Sequence, residues 1–377
     1  MFASVSSLII LALFGHGHMA TRHHSPIDSF TGSSPVHIHQ HSATGPTGLS
    51  PSQIDTAYNL PGTGGAGKTI AIVDAYSDST IAPDLSAFST KFGLPVCTTS
   101  NGCFQIHPMA QRVQANSGWA LEESLDVEWA HAIAPQAAIM LVEARSSSGN
   151  DLLSAISYAK SQPGVVAVSM SWGGPEFNGE SSYDTDFATA GGGVQFFAAA
   201  GDSGHGVDWP AASPNVIGVG GTTLSLNPNG TINHETAWSG SGGGISNYES
   251  EPTYQSGLLP AISSGNHRAV PDVTYDADPA SGVAVYDSTR YDNESGWFQV
   301  GGTSAGTPQW AAIDAINASN GSALSSSKLY HDAAPATYAK YFRDITTGSN
   351  GTCAVVCSAA PGFDFVSGLG SPLSAKF

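Results

Sequence analysis

Three short strings carry residues able to do chemistry. In GGTSAGTPQWAA, residues 301–312, Ser304 sits at a glycine-rich turn just ahead of a run able to form a helix. Such a corner exposes a hydroxyl where backbone donors and a helix N-terminus favour developing negative charge. The position equally suits a simple N-cap, and the string alone leaves both roles open. In WALEESLDVEWAHAIAP, Glu122 and Asp126 are spaced i, i+4 and project from one helical face. Two carboxyls that close share a proton and split their apparent pKa values, so that one can accept a proton while the other holds it in place. Glu123 with Asp126, at i, i+3, competes for the same role, and a solvated acidic face is the bland alternative. In VQFFAAAGDSGHG an apolar strand delivers Asp202 into a glycine turn, where it either stabilises the turn or serves chemistry beside Ser304.

A nucleophilic serine needs a base, and the usual one is His. Of the histidines beyond the N-terminal stretch, His107, His131, His205, His234, His267 and His331, none stands in a HGTxVAG-like context, so the acidic helix supplies the substitute. One further motif is set aside. Gly62 to Thr69, GTGGAGKT, satisfies the phosphate-loop string GxxxxGK[ST], but a strand follows it where a phosphate site requires a helix N-terminus. It reads as a turn before a strand.

The elements that must position these groups alternate. KTIAIVDAY, AAIMLVEA, GVVAVSMSW and GVQFFAAA read as buried strands, while APDLSAFSTKF, WALEESLDVEWAHAIA and DLLSAISYAKS read as helices. That order predicts an α/β fold: a central, mostly parallel sheet with helices on both faces, three layers in all, and functional groups at the carboxyl ends of the strands. Beyond Thr222 the pattern gives way to glycine-rich loops and short strands until a helix over Thr303 to Ser319.

Composition bounds the partners. The 377 residues hold 12 Lys plus Arg against 30 Asp plus Glu, a formal charge of -18, which excludes a protein that binds nucleic acid by counterion release. The longest apolar run, Leu8 to Phe14, is too short to span a bilayer. Charged residues are only 11% of a chain with 44 glycines, which suits a loop-rich, secreted, acid-tolerant protein. The cysteines fall in two tight pairs, Cys97/Cys103 and Cys353/Cys357, read as disulfides closing small loops. Residues 1–45 are expected to be a signal-like leader and a flexible His/Pro/Ser-rich linker, and 46–377 a single catalytic domain, acting as a monomer.

Taken together, IAIVDAY, the ExxxD helix, SWGGPE, AAGDSG and GGTSAGTP, in this order, resemble the sedolisin family of serine-carboxyl peptidases, which have a subtilisin-like fold. The resemblance runs from about Leu49 to Phe377. It implies Ser304 as nucleophile, Glu122 as general base, Asp126 as the carboxylate orienting Glu122, and Asp202 as the oxyanion-hole acid. Asp74 and Trp172 would be outer members of the same hydrogen-bond network, and the edge at Trp172 and Gly173 would pair with an extended polypeptide substrate. The implied activity is that of an acid-acting endopeptidase working through an acyl-enzyme. The competing readings are a subtilisin-type Ser/His/Asp protease with Asp74 as its acid, and an inactive peptidase-like binding protein.

The resemblance further implies one Ca²⁺ site, held by Asp344, Asp364 and the carbonyls of Ile345, Ala360 and Gly362. Ala360 stands where the family usually has Gly, so its carbonyl can serve only if the backbone there suits a residue with a Cβ. Gly306 stands where a second Ser is common. The family also has a long propeptide, for which the ~45 residues ahead of the resemblance are too few.

Overall fold

The computed structural model describes residues 25–34, 36–257 and 265–377; the signal-like leader lies outside them. Strands β2 (Thr69–Ala75), β3 (Phe104–Pro108), β4 (Ala138–Ala144), β5 (Val165–Met170), β6 (Gln195–Ala199), β7 (Ile217–Leu226), β8 (Ile232–Ala237) and β9 (Val273–Asp276) form the central sheet. Their order is β8-β7-β6-β5-β2-β4-β3, with β9 also paired to β7. Every pairing is parallel except β8 with β7. The phosphate-loop string runs through a turn directly into β2.

Strand alternation explains the layers. On β2, Ile70 and Ile72 belong to one core with Leu121, Leu125 and Trp310, whereas Ala71, Val73 and Ala75 belong to the other with Leu152 and Ile156. Helices α3 (Ser117–Ile133) and α5 (Thr303–Ser319) therefore cover one face and α4 (Gly149–Ala159) the other. The sheet buried on both faces is the expected subtilisin-like α/β arrangement. Helix α3 begins at Asn116, whose Oδ1 accepts from Gly118 N–H (3.0 Å) and Trp119 N–H (3.2 Å), and every residue from Trp119 to Ile133 is buried. Among the described residues no helix is long and apolar enough to cross a membrane.

The linker expectation is corrected for residues 26–29 and 37–42. A short 3₁₀ turn at Pro26–Ser29 buries Ile27, and His37–Ser42 forms strand β1. This strand pairs antiparallel with β11 (Glu294–Gly301), which pairs in turn with β10 (Val283–Tyr291). The string VHIHQHS has the period-two alternation of a strand, a signal masked by its histidines and flanking turn residues. Cys97–Cys103 and Cys353–Cys357 are disulfides, as their spacing indicated.

Candidate active site

Helix α5 starts at Gly302, whose φ of 117° only glycine adopts readily, and places Ser304 in its first turn, fully buried. Asp202, at the carboxyl end of β6, caps that helix: its Oδ1 accepts from Thr303 N–H (2.8 Å) and Thr303 Oγ1 (2.6 Å). Ser304 and Asp202 are thereby fixed to one helix N-terminus by Thr303, a residue whose role the sequence did not suggest. Gly306 has a local reason. A Cβ there would lie 2.6 Å from Tyr275 Cβ and 3.1 Å from Val219, so this chain has no room for a second serine.

Glu122, not Glu123, faces the serine. Burial raises the Glu122 carboxyl to about 8, the hydroxyls of Ser34 and Ser304 offset part of the rise, and Asp202 adds to it. Ser304 Oγ and Glu122 Oε1 are both buried without a completed hydrogen bond. Glu123 turns elsewhere, its Oε2 accepting from Asp78 N–H at 3.1 Å. Asp126 Oδ1 accepts from Ser171 Oγ (2.8 Å), and the same hydroxyl lies 3.4 Å from the carbonyl oxygen of Ser304. Burial pushes Asp126 well up, with Asp74 and Glu122 adding to the rise. Asp74 is raised by burial and then by Glu122, but neither of its oxygens has a hydrogen-bond partner. Trp172 Nε1 donates to the Val73 carbonyl (2.8 Å), so Asp74 and Trp172 are neighbours along β2 and its flank without a hydrogen bond between them. Asp208 also stands near Asp202; burial, then Asp202, raises it to about 6.

The N-terminal segment lies across this cleft. Ser33 N–H donates to Gly173 O (2.9 Å) and Gly173 N–H to Ser33 O (3.2 Å), and Gly32 N–H donates to Ser147 O (2.8 Å). Ser34 Oγ donates to Glu122 Oε2. The β1–β11 register pairs His37 with Gly301, two residues before Thr303, and this brings His37 Nε2 to 3.4 Å from Asp202 Oδ2. Asp202 raises the His37 pKa through that contact. Ser34, His37 and Ser171 were not singled out as site residues by sequence. The alternation in VHIHQHS was the available clue for His37; nothing local pointed to the two serines.

The candidate calcium ligands gather at the C-terminal loops. Gly362 N–H donates to both oxygens of Asp344 (3.1 Å each) and Ala360 N–H to Asp364 Oδ2 (3.0 Å), so both carboxylates face the 360–364 turn. Ala360 lies outside the left-handed region, so a carbonyl ligand at that position does not require glycine. Ile345 is buried beside Asp344. The two carboxylates are the kind of oxygen ligand a hard cation takes, and in this structure backbone N–H groups of the 360–367 turn occupy them.

Residues 114–351 match the family model of the subtilases, Peptidase S8. Kumamolisin from Bacillus sp. (strain MN-32) is 32% identical over 88% of this chain, and sedolisin from Pseudomonas sp. (strain 101) 28% identical over 87%. The chain spans 63% and 60% of those two proteins' own lengths. The solved Pseudomonas sedolisin, a serine-carboxyl proteinase complexed with two molecules of pseudo-iodotyrostatin, superposes with a TM-score of 0.73 at 26% identity, covering 87% of this chain and 96% of that one. With the family model over more than half its length and these relatives around it, the chain belongs to the subtilase family and, within it, to the sedolisins.

Proposed function

We propose that this chain is a serine-carboxyl peptidase that cleaves polypeptides at acid pH, with Ser304 as nucleophile, Glu122 as base, Asp126 as the group orienting Glu122, and Asp202 as the oxyanion donor. One observation carries the reading. Glu122 of α3 acts on the Ser304 hydroxyl and Asp202 of the β6 turn holds the N–H of the preceding Thr303, while an extended segment is hydrogen-bonded to Gly173 in the manner of a bound peptide.

The chemistry follows from where the donors fall. Asp74, Glu122 and Asp126 are too close and too buried to ionise together. Burial favours the neutral form of all three, but hydroxyls of Ser34 and Ser304 act on Glu122, one hydroxyl acts on Asp126 and none on Asp74, so Glu122 is the easiest of the three to ionise and its anion is the form that acts as base. Glu122 then takes the proton of Ser304 as its Oγ bonds to the peptide carbonyl carbon and the carbonyl electron pair moves to oxygen. The same proton passes to the leaving amine as the C–N bond breaks, and water releases the acyl group by the reverse sequence. Asp202 can donate to the oxyanion only when protonated, because its anion would repel the developing charge; this sets the requirement for low pH. Its Oδ1 is committed to Thr303, leaving Oδ2 for that proton. Ser34 and His37 occupy Glu122 and Asp202, so residues 31–38 must leave before a substrate can enter.

Endopeptidase action, secretion and a monomeric state are part of the same reading; the disulfides and the low charge content favour an extracellular setting. Asp344, Ile345, Ala360, Gly362 and Asp364 are proposed to hold Ca²⁺, which would tie the C-terminal loops together; chelation should lower the unfolding temperature by several degrees, and an unchanged melting curve would remove the site. For the activity itself, Ser304→Ala and Glu122→Gln should each lower turnover of a denatured protein at pH 4 by at least ~10³-fold, with the circular dichroism spectrum kept. Full activity in Glu122→Gln, or an alkaline optimum in the wild type, would overturn the carboxyl mechanism.

A further inference from the structure

Behind the catalytic carboxyls, a second group of acids comes from three separate elements. Asp78 lies in the turn leaving β2, Asp84 in the first turn of α2 (Ile81–Phe92), and Asp287 on β10. All three are buried, at 4%, 2% and 0% exposure. One oxygen from each lies within 4.8 Å of those from the other two. Among the described residues no Lys, Arg or His forms an ion pair with any of them.

Each carboxylate is gripped on one side. Asp78 Oδ1 accepts from Thr80 N–H, Thr80 Oγ1 and Thr289 Oγ1, all at 2.9 Å. Asp84 Oδ2 accepts from Ser288 N–H (2.9 Å) and Ser288 Oγ (3.0 Å), and Asp287 Oδ1 from Thr289 N–H (2.7 Å). The second oxygens of Asp78 and Asp287 are buried with no partner at all. Nearby on α3, Glu128 repeats the pattern: Oε2 accepts from Tyr286 N–H (3.0 Å), while Oε1 is buried and unpartnered. Buried oxygens left without a donor are costly, and carboxylates held by N–H and hydroxyl groups while each brings one oxygen to a common space make the ligand arrangement of a hard cation. Their spacing suits oxygens arranged around an ion at about 2.3–2.6 Å. The donors are all oxygen, with no imidazole or thiolate in the group, which selects Ca²⁺ over zinc or copper.

We propose that Asp78, Asp84 and Asp287 form a second divalent-cation site, for Ca²⁺, that ties the turn after β2 and the start of α2 to β10. The site is separate from the C-terminal loops and independent of the peptidase reading, and its readout is ion binding, not turnover. Asp78 N–H also donates to Glu123, the residue beside Glu122, so the bound ion would steady the helix that carries the catalytic pair.

The test uses the full chain. Protein stripped with chelator and titrated with CaCl₂ at pH 7 should bind one Ca²⁺ more per molecule than Asp287→Asn, and the Asp344→Ala variant should keep that extra ion. Wild-type crystals soaked in Tb³⁺ should show an anomalous peak between the three carboxylates, which decides the matter even if Asp287→Asn does not fold. No peak there, or an Asp287→Asn variant that binds as many ions as the wild type, would overturn the site. So would an Asp287→Asn variant that is more stable than the wild type in saturating Ca²⁺, since the cluster would then be held together by shared protons.

Discussion

Two groups of buried acids surround α3, and they differ in what closes them. Around Glu122 and Asp126 the contacts are buried hydroxyls, a helix N-terminus and a stretch of the chain's own N-terminal segment, and a substrate could replace the last of these. Around Asp78, Asp84 and Asp287 the contacts are backbone N–H groups and threonine and serine hydroxyls of the fold itself. Burial raises carboxyls in both groups, to about 8 for Glu122 and about 8 for Asp287. The same perturbation therefore accompanies the proposed chemistry in one place and the proposed structural ion in the other; access for a reacting molecule, not the shift, separates them.

Breaking the front group should cost activity with little cost in stability. Asp202→Ala is expected to lower kcat by about 10²–10³-fold, as loss of an oxyanion donor does, and to relieve the high-pH limb of the profile, where the wild-type carboxyl must keep its proton. An unchanged profile would remove Asp202 from the chemistry.

Stability should follow the opposite pattern. Asp287 and Glu249 (both about 8) and Glu180 (about 9) have folded pKa values raised by burial above those of the unfolded chain, near 4. Below pH 4 both states hold these protons and the stability is fully present. Between about pH 4 and 9 the unfolded chain ionises first, and folding stability falls. The melting temperature in chelator should accordingly be higher at pH 4 than at pH 7.5, and Asp287→Asn should flatten the difference. A melting temperature that rises with pH would contradict the account. The smallest effect is expected at Gly306→Ser, which must displace Tyr275 and should lose about 1–3 kcal/mol in denaturant unfolding.

Much of this arrangement is readable from sequence. Alternating apolar strands and helices gave the three layers, and a strand end gave the neighbourhood of Asp202, because side-chain period and chain direction are local properties; Trp172 and Gly173 came from the resemblance. Ser304 was legible as a strand-to-helix corner, but it is fully buried where that corner implied an exposed hydroxyl, and its alternative role as a helix cap was not excluded until Asp202 took the cap through Thr303. The choice of Glu122 over Glu123 depends on which way α3 is rotated against α5, a packing outcome that i, i+3 and i, i+4 spacing cannot separate. His37 reaches Asp202 only through the register of β1 on β11, a pairing across more than 250 residues. Asp78, Asp84 and Asp287 are likewise brought together from distant elements, and no motif announces them.

The central claim is that carboxyls alone move the proton of Ser304. It is tested most directly by mass spectrometry of wild type and Glu122→Gln after brief exposure at pH 4 to an activated peptide ester. The account predicts an acyl group on Ser304 in the wild type and at least ~10³-fold slower labelling in the variant. Equal labelling rates in the two proteins would contradict it.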